Sequence, residues 1–531
     1  MKKSIFLLIS ILVLAFSVSS CAPADRLRGM FSDKGEDGAA QPAEPEDNPA
    51  GANTVTVGIF DFDTFNPLTT QSQTVREAME FVYEPLFELN EQVQPEPALA
   101  RDYAMSPDGR TITINLRDDV RWHDGDTMTA YDAAYSVRMV REGKTSYTEL
   151  MKDAVDQTVT GDYQLTVSFN HPVPLAASLF TFPIVKYDTP MTTDAGYNPI
   201  GTGAFAFSGR VGTDRYMLNA FDYYYGGRAK LDGVYIDEAP DEEHYIYMCS
   251  AGAFDVSTDK VLDLKKYTPK GSVVLNEYVT DRLMLLGINC SKPELSGAST
   301  RRALSELTDR EYIVDSILYS RYTGVDVPIN PSLWLYGESA CARGIRGDEA
   351  ESCLEADGWT PAVNGGYVRN SPNGQQQLKL TLITDENEEK RAIADKLAET
   401  FHRYGIAVQT ETLPYDQYSA RIASGMYDIF VGEYEIPATQ DLSGLVCGGN
   451  IFRYSNVDMD TLAAQMGMTS NVEELKTLYP QLGELFRSEM PFVPIAYKRA
   501  CVMNSAALKD VSCPGSGGVY RNVSLWRVKS E

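Results

Sequence analysis

Histidine and positive charge are scarce in this chain of 531 residues. There are 4 histidines, and 47 Lys and Arg residues stand against 74 Asp and Glu residues, which gives a formal net charge of −27. A surface this acidic repels phosphate backbones, which argues against nucleic acid as a partner. The 8 cysteines form no C-x-x-C pair, and the histidines are scattered along the chain. The sequence therefore predicts no metal site and no cofactor.

Motifs of common catalytic sites are also missing. The sequence has no G-x-S-x-G, no H-E-x-x-H and no G-x-x-x-x-G-K-[ST]. The glycine-rich stretch "IGTGAF" (Ile200–Phe205) precedes a predicted strand instead of opening a helix, so we interpret it as a tight turn and not as a phosphate-binding loop. We therefore predict that the protein is not an enzyme. The alternative is a secreted hydrolase whose catalytic residues come together from distant parts of the chain.

Only the N-terminus carries a long hydrophobic run. Lysines precede the apolar residues 5–16, which are too few to span a bilayer comfortably and are typical of a signal peptide. The small residues before Cys21 resemble the lipobox of bacterial lipoproteins, whose cysteine is lipid-modified; the alternative is an ordinary cleaved signal peptide. The next residues are rich in Pro, Ala, Gly and acidic side chains and predict a flexible tether. We expect a signal peptide (1–20), a lipidated tether (21–52) and a body anchored to the membrane outside the cytoplasm.

The body, from about Asn53, exceeds the size of one hydrophobic core and predicts two or three lobes. Alternating spacing predicts strands at 54–60, 111–117, 164–169, 204–209, 233–239 and 283–289. Helical spacing predicts helices at 74–89, where Pro85 interrupts the pattern, and at 298–318, 387–405 and 471–489. The helix at 387–405 lies between strands predicted at 378–384 and 406–413, a unit typical of an α/β lobe with a parallel sheet. The predicted fold class is mixed α/β.

The spacing of the cysteines does not determine which of them form disulfides. Lipidation of Cys21 would leave seven cysteines, so at least one is free or pairs with another molecule. Cys341 and Cys353 are close enough in sequence to pair, and we expect one or two disulfides. Cys290, in an apolar run, is expected to be a buried thiol.

A histidine and two carboxylates, His123, Asp124 and Asp126, lie within four residues and suggest either a chemical site or a turn. Asp124 precedes a glycine, which is a turn signal, and Thr129 with Asp132 matches a capping box at the start of an apolar helix face. Neighbouring side chains on an extended segment point in opposite directions, so these residues do not converge on one ion. We interpret the segment as strand, turn, cap and helix.

The same segment carries a family resemblance. "LRDDVRWHDGDTMTAYDAAYS" (Leu116–Ser136) resembles the motif L-R-x-x-V-x-W-H-D-G-x-x-L-T-A-x-D-V-x-x-S of the extracellular solute-binding proteins that serve oligopeptide, dipeptide and nickel ABC importers. Stretches similar to further family motifs follow in the family's order at 198–236, 301–318, 328–336 and 454–462. With the lipoprotein leader, the resemblance spans nearly the whole chain.

The resemblance implies a periplasmic-binding-protein type II fold, an α/β fold with two hinged lobes and an extra subdomain on the first. The implied bounds are 53–84, 199–283 and 491–531 for lobe I, 85–198 for the extra subdomain and 284–490 for lobe II. Such a receptor captures its solute between the lobes, and hinge closure buries it. The implied partners are an oligopeptide or another small solute and the permease subunits of an ABC importer. We expect a monomer.

The resemblance points to candidate ligand contacts after the strand "YDIFVGEY" (Tyr427–Tyr434). Peptide-binding members have G-W there, then an aspartate that pairs with the peptide's ammonium group. Here a glutamate replaces the tryptophan and no aspartate falls at the usual place, so another nearby carboxylate would pair with the ammonium, or these carboxylates are solvated. The aromatic side chains suit a pocket wall, with core packing as the alternative for Phe60 and Trp334. Arg453 suits a ligand carboxylate, with a structural ion pair as the alternative. The candidate residues are Glu433, Glu435, Asp441, Tyr434, Trp334, Phe60 and Arg453. Open alternatives are a sugar oligomer or metal chelate as solute, and a sensor that signals to a membrane partner.

Overall fold

The computed structural model describes residues 53–143, 145–258, 271–337, 343–363, 365–371, 374–512 and 518–529. The predicted signal peptide and tether, with Cys21, lie outside these residues, as do Cys341 and Cys513. Within the described ranges, no helix is long and apolar enough to cross a membrane.

The strands and helices follow one another along the whole body. The strands are β1 (Thr54–Ile59), β2 (Phe87–Leu89), β3 (Pro95–Pro97), β4 (Ala100–Met105), β5 (Thr111–Leu116), β6 (Ala154–Gly161), β7 (Gln164–Phe169), β8 (Phe205–Arg210), β9 (Arg215–Ala220), β10 (Gly233–Glu238), β11 (Val256–Thr258), β12 (Val273–Ile288), β13 (Tyr322–Gly324), β14 (Thr360–Pro361), β15 (Tyr367–Ser371), β16 (Gly374–Gln377), β17 (Lys379–Thr384), β18 (Ala407–Thr412), β19 (Ile429–Glu435), β20 (Phe492–Ser505), β21 (Leu508–Lys509) and β22 (Arg527–Val528). The helices are α1 (Gln73–Ala78), α2 (Ala130–Arg141), α3 (Glu242–Ala251), α4 (Ala298–Glu306), α5 (Arg310–Tyr312), α6 (Gly347–Ala356), α7 (Glu388–Arg403), α8 (Tyr415–Ser424), α9 (Ser443–Val446), α10 (Val457–Met468) and α11 (Val472–Glu489). Short 3-10 turns lie at Met79–Phe81, Thr148–Met151, Ala176–Leu179, Pro293–Leu295 and Val523–Leu525, and a π-helical turn at Ile313–Ile317.

One large sheet runs through the molecule in the order β18-β17-β19-β12-β20-β11-β1-β10-β9-β8, and β13 pairs with β20. The two long strands, β12 and β20, lie in its middle and pair antiparallel with each other. β20 pairs with β11 near its C-terminal end, at residues 502–504. β12 pairs with β19 along its C-terminal half, at residues 282–288. The register between β12 and β20 shifts between Val279 and Leu283. We call the β1, β8–β11 side lobe I and the β17–β19 side lobe II.

The extra subdomain is a four-stranded sheet, in the order β4-β5-β7-β6, which α2 contacts. Alternate residues of β5 and β7 are buried, as expected for a sheet with one covered face. The buried residues of this sheet and of α2 belong to the same hydrophobic cluster as those of β1, β9 and β10 in lobe I, whereas the buried residues of lobe II form another cluster. We propose for these three parts the bounds that the family resemblance implies, and the sheet order supports them.

Most predicted elements are present, with two differences. The strand–helix–strand unit is β17, α7 and β18, and its two strands pair parallel as predicted. The helix predicted at 74–89 ends instead near Phe81, because Pro85 forces the preceding residue out of helical geometry and the chain continues as β2. The helix predicted at 298–318 breaks after α4, where Asp309 accepts a hydrogen bond from the Tyr312 amide (3.2 Å) and starts a new helix.

The cluster around His123 is a turn, as predicted. Both ring nitrogens of His123 face the backbone of the glycine-rich turn, with Nε2 2.9 Å from the Gly203 carbonyl oxygen and Nδ1 3.3 Å from the Gly201 amide nitrogen. Asp124 and Asp126 pair with Lys186. The Thr129 amide donates to the Asp132 carboxylate (2.8 Å), the capping-box contact at the start of α2. The contacts of His123 join the extra subdomain to the turn that leads into β8, and the other contacts lie within the subdomain.

The cysteine expectations are corrected in part. Cys249, Cys290, Cys353 and Cys447 are free thiols. Cys341, which the spacing allowed to pair with Cys353, lies outside the described residues. Cys290 is partly buried against the lobe II core, and burial raises the pKa of its thiol to about 11.

Candidate ligand-binding cleft

A cavity of about 1390 Å³ lies between the two lobes. Lobe II contributes residues 434–448 and parts of α10 and α11, while α1 of lobe I and segments 146–153 and 171–181 of the extra subdomain form the facing wall. Pockets for small ligands commonly measure about 300–1,000 Å³. This cavity is therefore large enough for a ligand of several residues.

The lobe II wall begins where β19 ends. Leu283 of β12 lies opposite Tyr434 in the register, and Arg282 lies opposite Glu435. Successive side chains of a strand point to opposite faces, so the side chain of Tyr434 projects away from those of its two glutamate neighbours along β19. Tyr434 is half-buried, and burial, followed by the charge of Asp441, raises the pKa of its phenol.

Asp281, in the irregular part of β12, fixes the loop that follows β19. Its backbone carbonyl accepts from the Ile436 amide (2.8 Å), and its carboxylate accepts from the side-chain amides of Gln440 (2.9 Å) and Asn330 (3.2 Å). The buried Gln440 adopts a positive φ of 55° and its carbonyl accepts from the Tyr479 hydroxyl (3.2 Å). The loop that carries the cleft residues is therefore tied to the crossover strand between the lobes.

Three of the seven candidate residues line this cavity: Tyr434, Glu435 and Asp441. Glu435 is exposed, and its carboxylate has no hydrogen-bond or ion-pair partner among the described residues. Asp441 is also exposed; its carboxylate accepts from the amide (2.9 Å) and hydroxyl (2.8 Å) of Ser443 at the start of α9. The ligand contacts of all three stay predictions.

The other four candidates do not line the cavity. Glu433 is exposed, and its charge acts on Tyr322 and Tyr418 instead. The Trp334 amide donates to the Gln92 carbonyl (3.0 Å) of the extra subdomain, while its half-buried ring packs on the lobe II core. The remaining two have contacts of their own: the ring of Phe60 is 5.1 Å from that of Tyr245, and the guanidinium of Arg453 donates to the Ala423 carbonyl (2.7 Å). Their proposed roles also stay predictions.

No sequence motif predicted the lobe I side of the cleft. The titratable residues there and on the adjoining subdomain wall are Arg76, Glu77, Glu80, Glu149, Lys152, Asp153 and His171. They come from segments up to 95 positions apart in the sequence, and no local motif marks them. Only the tertiary packing of α1 beside the 3-10 turn at Thr148–Met151 brings them to one wall. In the described ranges, no group of three or more His, Cys, Asp or Glu side chains is arranged to hold a metal ion.

A smaller cavity of about 290 Å³ adjoins the large one and shares lining residues with it. Its wall includes Glu84, a buried carboxylate that accepts from the hydroxyls of Tyr224 (2.8 Å), Tyr225 (2.8 Å) and Thr202 (2.9 Å). Burial raises the pKa of Glu84 to about 7, although the three hydroxyl donors lower it. Glu84 thus joins three chain segments with hydrogen bonds around one carboxylate.

Comparison with known proteins agrees with this geometry. The sequence model for bacterial extracellular solute-binding proteins, family 5, matches residues 94–445, about two thirds of the chain. The heme-binding protein A of Haemophilus influenzae is 23% identical, over 87% of this chain and 90% of its own length. The oligopeptide-binding protein AppA of Bacillus subtilis is 22% identical, over 93% of each chain.

Solved structures share the fold. The unliganded open form of MppA, a periplasmic murein tripeptide binding protein, superposes with a TM-score of 0.76 at 19% identity, over 91% of this chain and 98% of its own. AppA of Bacillus subtilis in complex with a nonapeptide superposes with a TM-score of 0.59 at 19% identity, over 90% of this chain and 100% of its own. The predicted two-lobed fold is confirmed, and all three relatives are named as binding proteins. The chain belongs to family 5 of the bacterial extracellular solute-binding proteins.

Proposed function

We propose that this protein captures oligopeptides between its lobes and delivers them to the membrane permease of an ABC importer. The observation that carries the proposal is the cavity of about 1390 Å³, whose walls come from both lobes. Its volume suits an oligopeptide, and the relative AppA has been solved with a nonapeptide. A ligand that touches both walls favours the closed arrangement, because only contacts made to both lobes distinguish closed from open.

The hinge of this motion is proposed to lie in β12 and β20. Both strands cross between the lobes, and the register between them is irregular between Val279 and Leu283. Asp281 lies in this irregular stretch and holds the loop 436–441 by hydrogen bonds. A rotation there would move the lobe II wall as one piece, since few residues need to change their backbone angles.

The ammonium group of the peptide is proposed to meet Glu435 or Asp441. Both line the cleft, and a carboxylate facing an ammonium forms a strong charge-assisted hydrogen bond. Tyr434, which directly precedes Glu435 in the sequence, supplies a flat apolar surface for the adjoining peptide unit. Glu433 is a weaker candidate because it does not line the cavity.

A lipid anchor at Cys21 is part of the proposal. It is supported by the small residues before Cys21 and by the tether-like composition that follows. The family's extracellular character is consistent with a body that works outside the cytoplasm. Tethering would keep the loaded receptor close to its permease.

Native mass spectrometry tests the proposal. The chain from residue 21 onward is incubated with a pool of peptides of two to nine residues and then desalted. Retained masses that match intact peptides and disappear on denaturation are the expected result. Retention of a non-peptide mass alone would overturn the peptide assignment and favour a solute such as a metal chelate or sugar oligomer. Shortened peptides in the solution would point to a hydrolase.

A further inference from the structure

The cleft between the lobes is strongly acidic. Its wall carries eight carboxylates and only two Lys or Arg side chains. The carboxylates are Glu77, Glu80, Glu149, Asp153, Asp281, Glu435, Asp441 and Asp460, and the cations are Arg76 and Lys152. The ratio of four to one exceeds that of the whole chain, in which 74 acidic residues face 47 basic ones. The excess is therefore a property of this cavity and not only of the overall composition.

The two cations are already engaged by the protein. The guanidinium of Arg76 donates to the carbonyls of Thr70 (3.1 Å) and Gln71 (3.2 Å) and to the side-chain oxygen of Gln73 (2.7 Å). Lys152 forms an ion pair with Glu149, one turn away. The charge of Lys152 is therefore balanced by Glu149, and the hydrogen-bond donors of Arg76 are occupied by acceptors of its own segment.

The carboxylates of the lobe II wall, in contrast, have no cationic partner among the described residues. Glu435 has no side-chain partner there, and Asp441 accepts only from Ser443. Asp460 accepts from the Gly448 amide (3.0 Å), a neutral donor. Three negative charges thus face the cavity from one wall without a cation beside them.

We propose that this cleft selects peptides that carry Lys or Arg side chains over neutral and acidic peptides of the same length. This inference rests on the proposed peptide-binding function and names the charge of its ligands. Partly enclosed, low-dielectric walls strengthen the attraction between the carboxylates and a cationic side chain. The same field opposes ligands with excess negative charge, such as heme with its two propionate groups.

Calorimetry with three pentapeptide pools tests the selection on the chain from residue 21 onward. In each pool two positions are fixed as Lys, Gln or Glu, and the other three vary over uncharged residues. We expect the Lys pool to bind at least about ten-fold more tightly than the Glu pool at 20 mM salt, with the Gln pool between them. The ratio should shrink at 300 mM salt, because exposed charges are screened within about 10 Å at 0.1 M ionic strength.

Variants assign the preference to the lobe II wall. The double variant Glu435→Gln, Asp441→Asn should lower the ratio of Lys-pool to Glu-pool affinity at least about three-fold, whereas Glu351→Gln, an exposed change on α6 outside the cleft, should leave it unchanged. Equal affinity for the three pools, or preference for the Glu pool, would overturn the charge selection and leave the peptide function standing. Binding of none of the pools, together with no retained peptide in native mass spectrometry, would overturn the proposed function itself.

Discussion

Glu84 should make the folded protein less stable as the pH rises through neutrality. Burial raises the pKa of this carboxyl from its ordinary 4.5 to about 7. Since one pKa unit corresponds to 1.36 kcal/mol, this difference corresponds to about 3 kcal/mol of unfolding free energy. Below about pH 4.5 Glu84 is protonated in both the folded and the unfolded chain, and the stability is fully present. It is lost as the pH rises through 7, because the folded chain must then bury a charge that the unfolded chain exposes to water.

The variant Glu84→Gln keeps the shape of the side chain but cannot ionise. We expect the unfolding free energy of the wild type, relative to this variant, to fall by about 3 kcal/mol between pH 4.5 and pH 7.5. Urea unfolding followed by tryptophan fluorescence at constant ionic strength measures it. The general repulsion of a chain with net charge −27 also grows with pH, but it acts on both proteins and cancels in the difference.

A control variant and one refuting result test whether the buried Glu84 carboxyl causes this pH dependence. The exposed variant Glu351→Gln should follow the wild type at every pH, within about 0.5 kcal/mol. If the wild type and Glu84→Gln instead gave parallel curves, with a constant difference between pH 4.5 and pH 7.5, the reasoning from burial would be refuted. The three hydroxyl donors would then hold the pKa of Glu84 near its ordinary value.

Three further predictions concern a close backbone contact and two buried side chains of the lobes. Gly201→Ala should destabilise the fold by more than about 3 kcal/mol in thermal unfolding, because a Cβ there would lie 1.8 Å from the Val82 carbonyl oxygen. The control Gly467→Ala, which has open space around it, should be neutral or stabilising in the same assay. Arg301→Lys should lower the unfolding free energy in urea by about 2–4 kcal/mol, because the buried guanidinium donates to four backbone carbonyls that an ammonium cannot reach together. The control Arg302→Lys, at an exposed neighbouring position, should have almost no effect. Equal effects of the two variants would contradict the role of the buried guanidinium. Cys249, whose pKa burial raises to about 12, should resist iodoacetamide at pH 8 in the native chain and react in urea, as peptide mapping will show; rapid native labelling would contradict its burial.

Local chemistry allowed much of the fold to be predicted. The turn at Asp124 and the cap at Asp132 form because glycine and short polar side chains satisfy backbone groups within a few residues of themselves. The parallel pair β17 and β18 follows from two apolar runs separated by an amphipathic helix. The interruption at Pro85 was predicted, and the helix ends a few residues before it, near Phe81. The break at Asp309 was not predicted, because helical spacing continues beyond it.

The cleft was harder to predict because its two walls come from opposite parts of the chain. A family resemblance pointed to the stretch after β19, and Tyr434, Glu435 and Asp441 of that stretch line the cavity. Glu433 does not line it, although strand alternation puts its side chain on the same face of β19 as that of Glu435, two residues nearer the strand end. Phe60 packs against Tyr245 and Arg453 donates to the Ala423 carbonyl, which are structural contacts of the kind that the alternatives for these two residues named.

The sequence by itself determined the family, the α/β character and most element positions, because hydrophobic period, caps and turns act over a few residues. Only the tertiary structure decided which charges share the cleft. Glu77 and Asp441 are 364 positions apart in the sequence, and the sheet order that places β12 and β20 between the lobes brings both to one cavity. Electrostatic interaction depends on the distance between charges in space and not on their separation along the chain, so the acidity of this cavity is decided by the folded arrangement of the lobes.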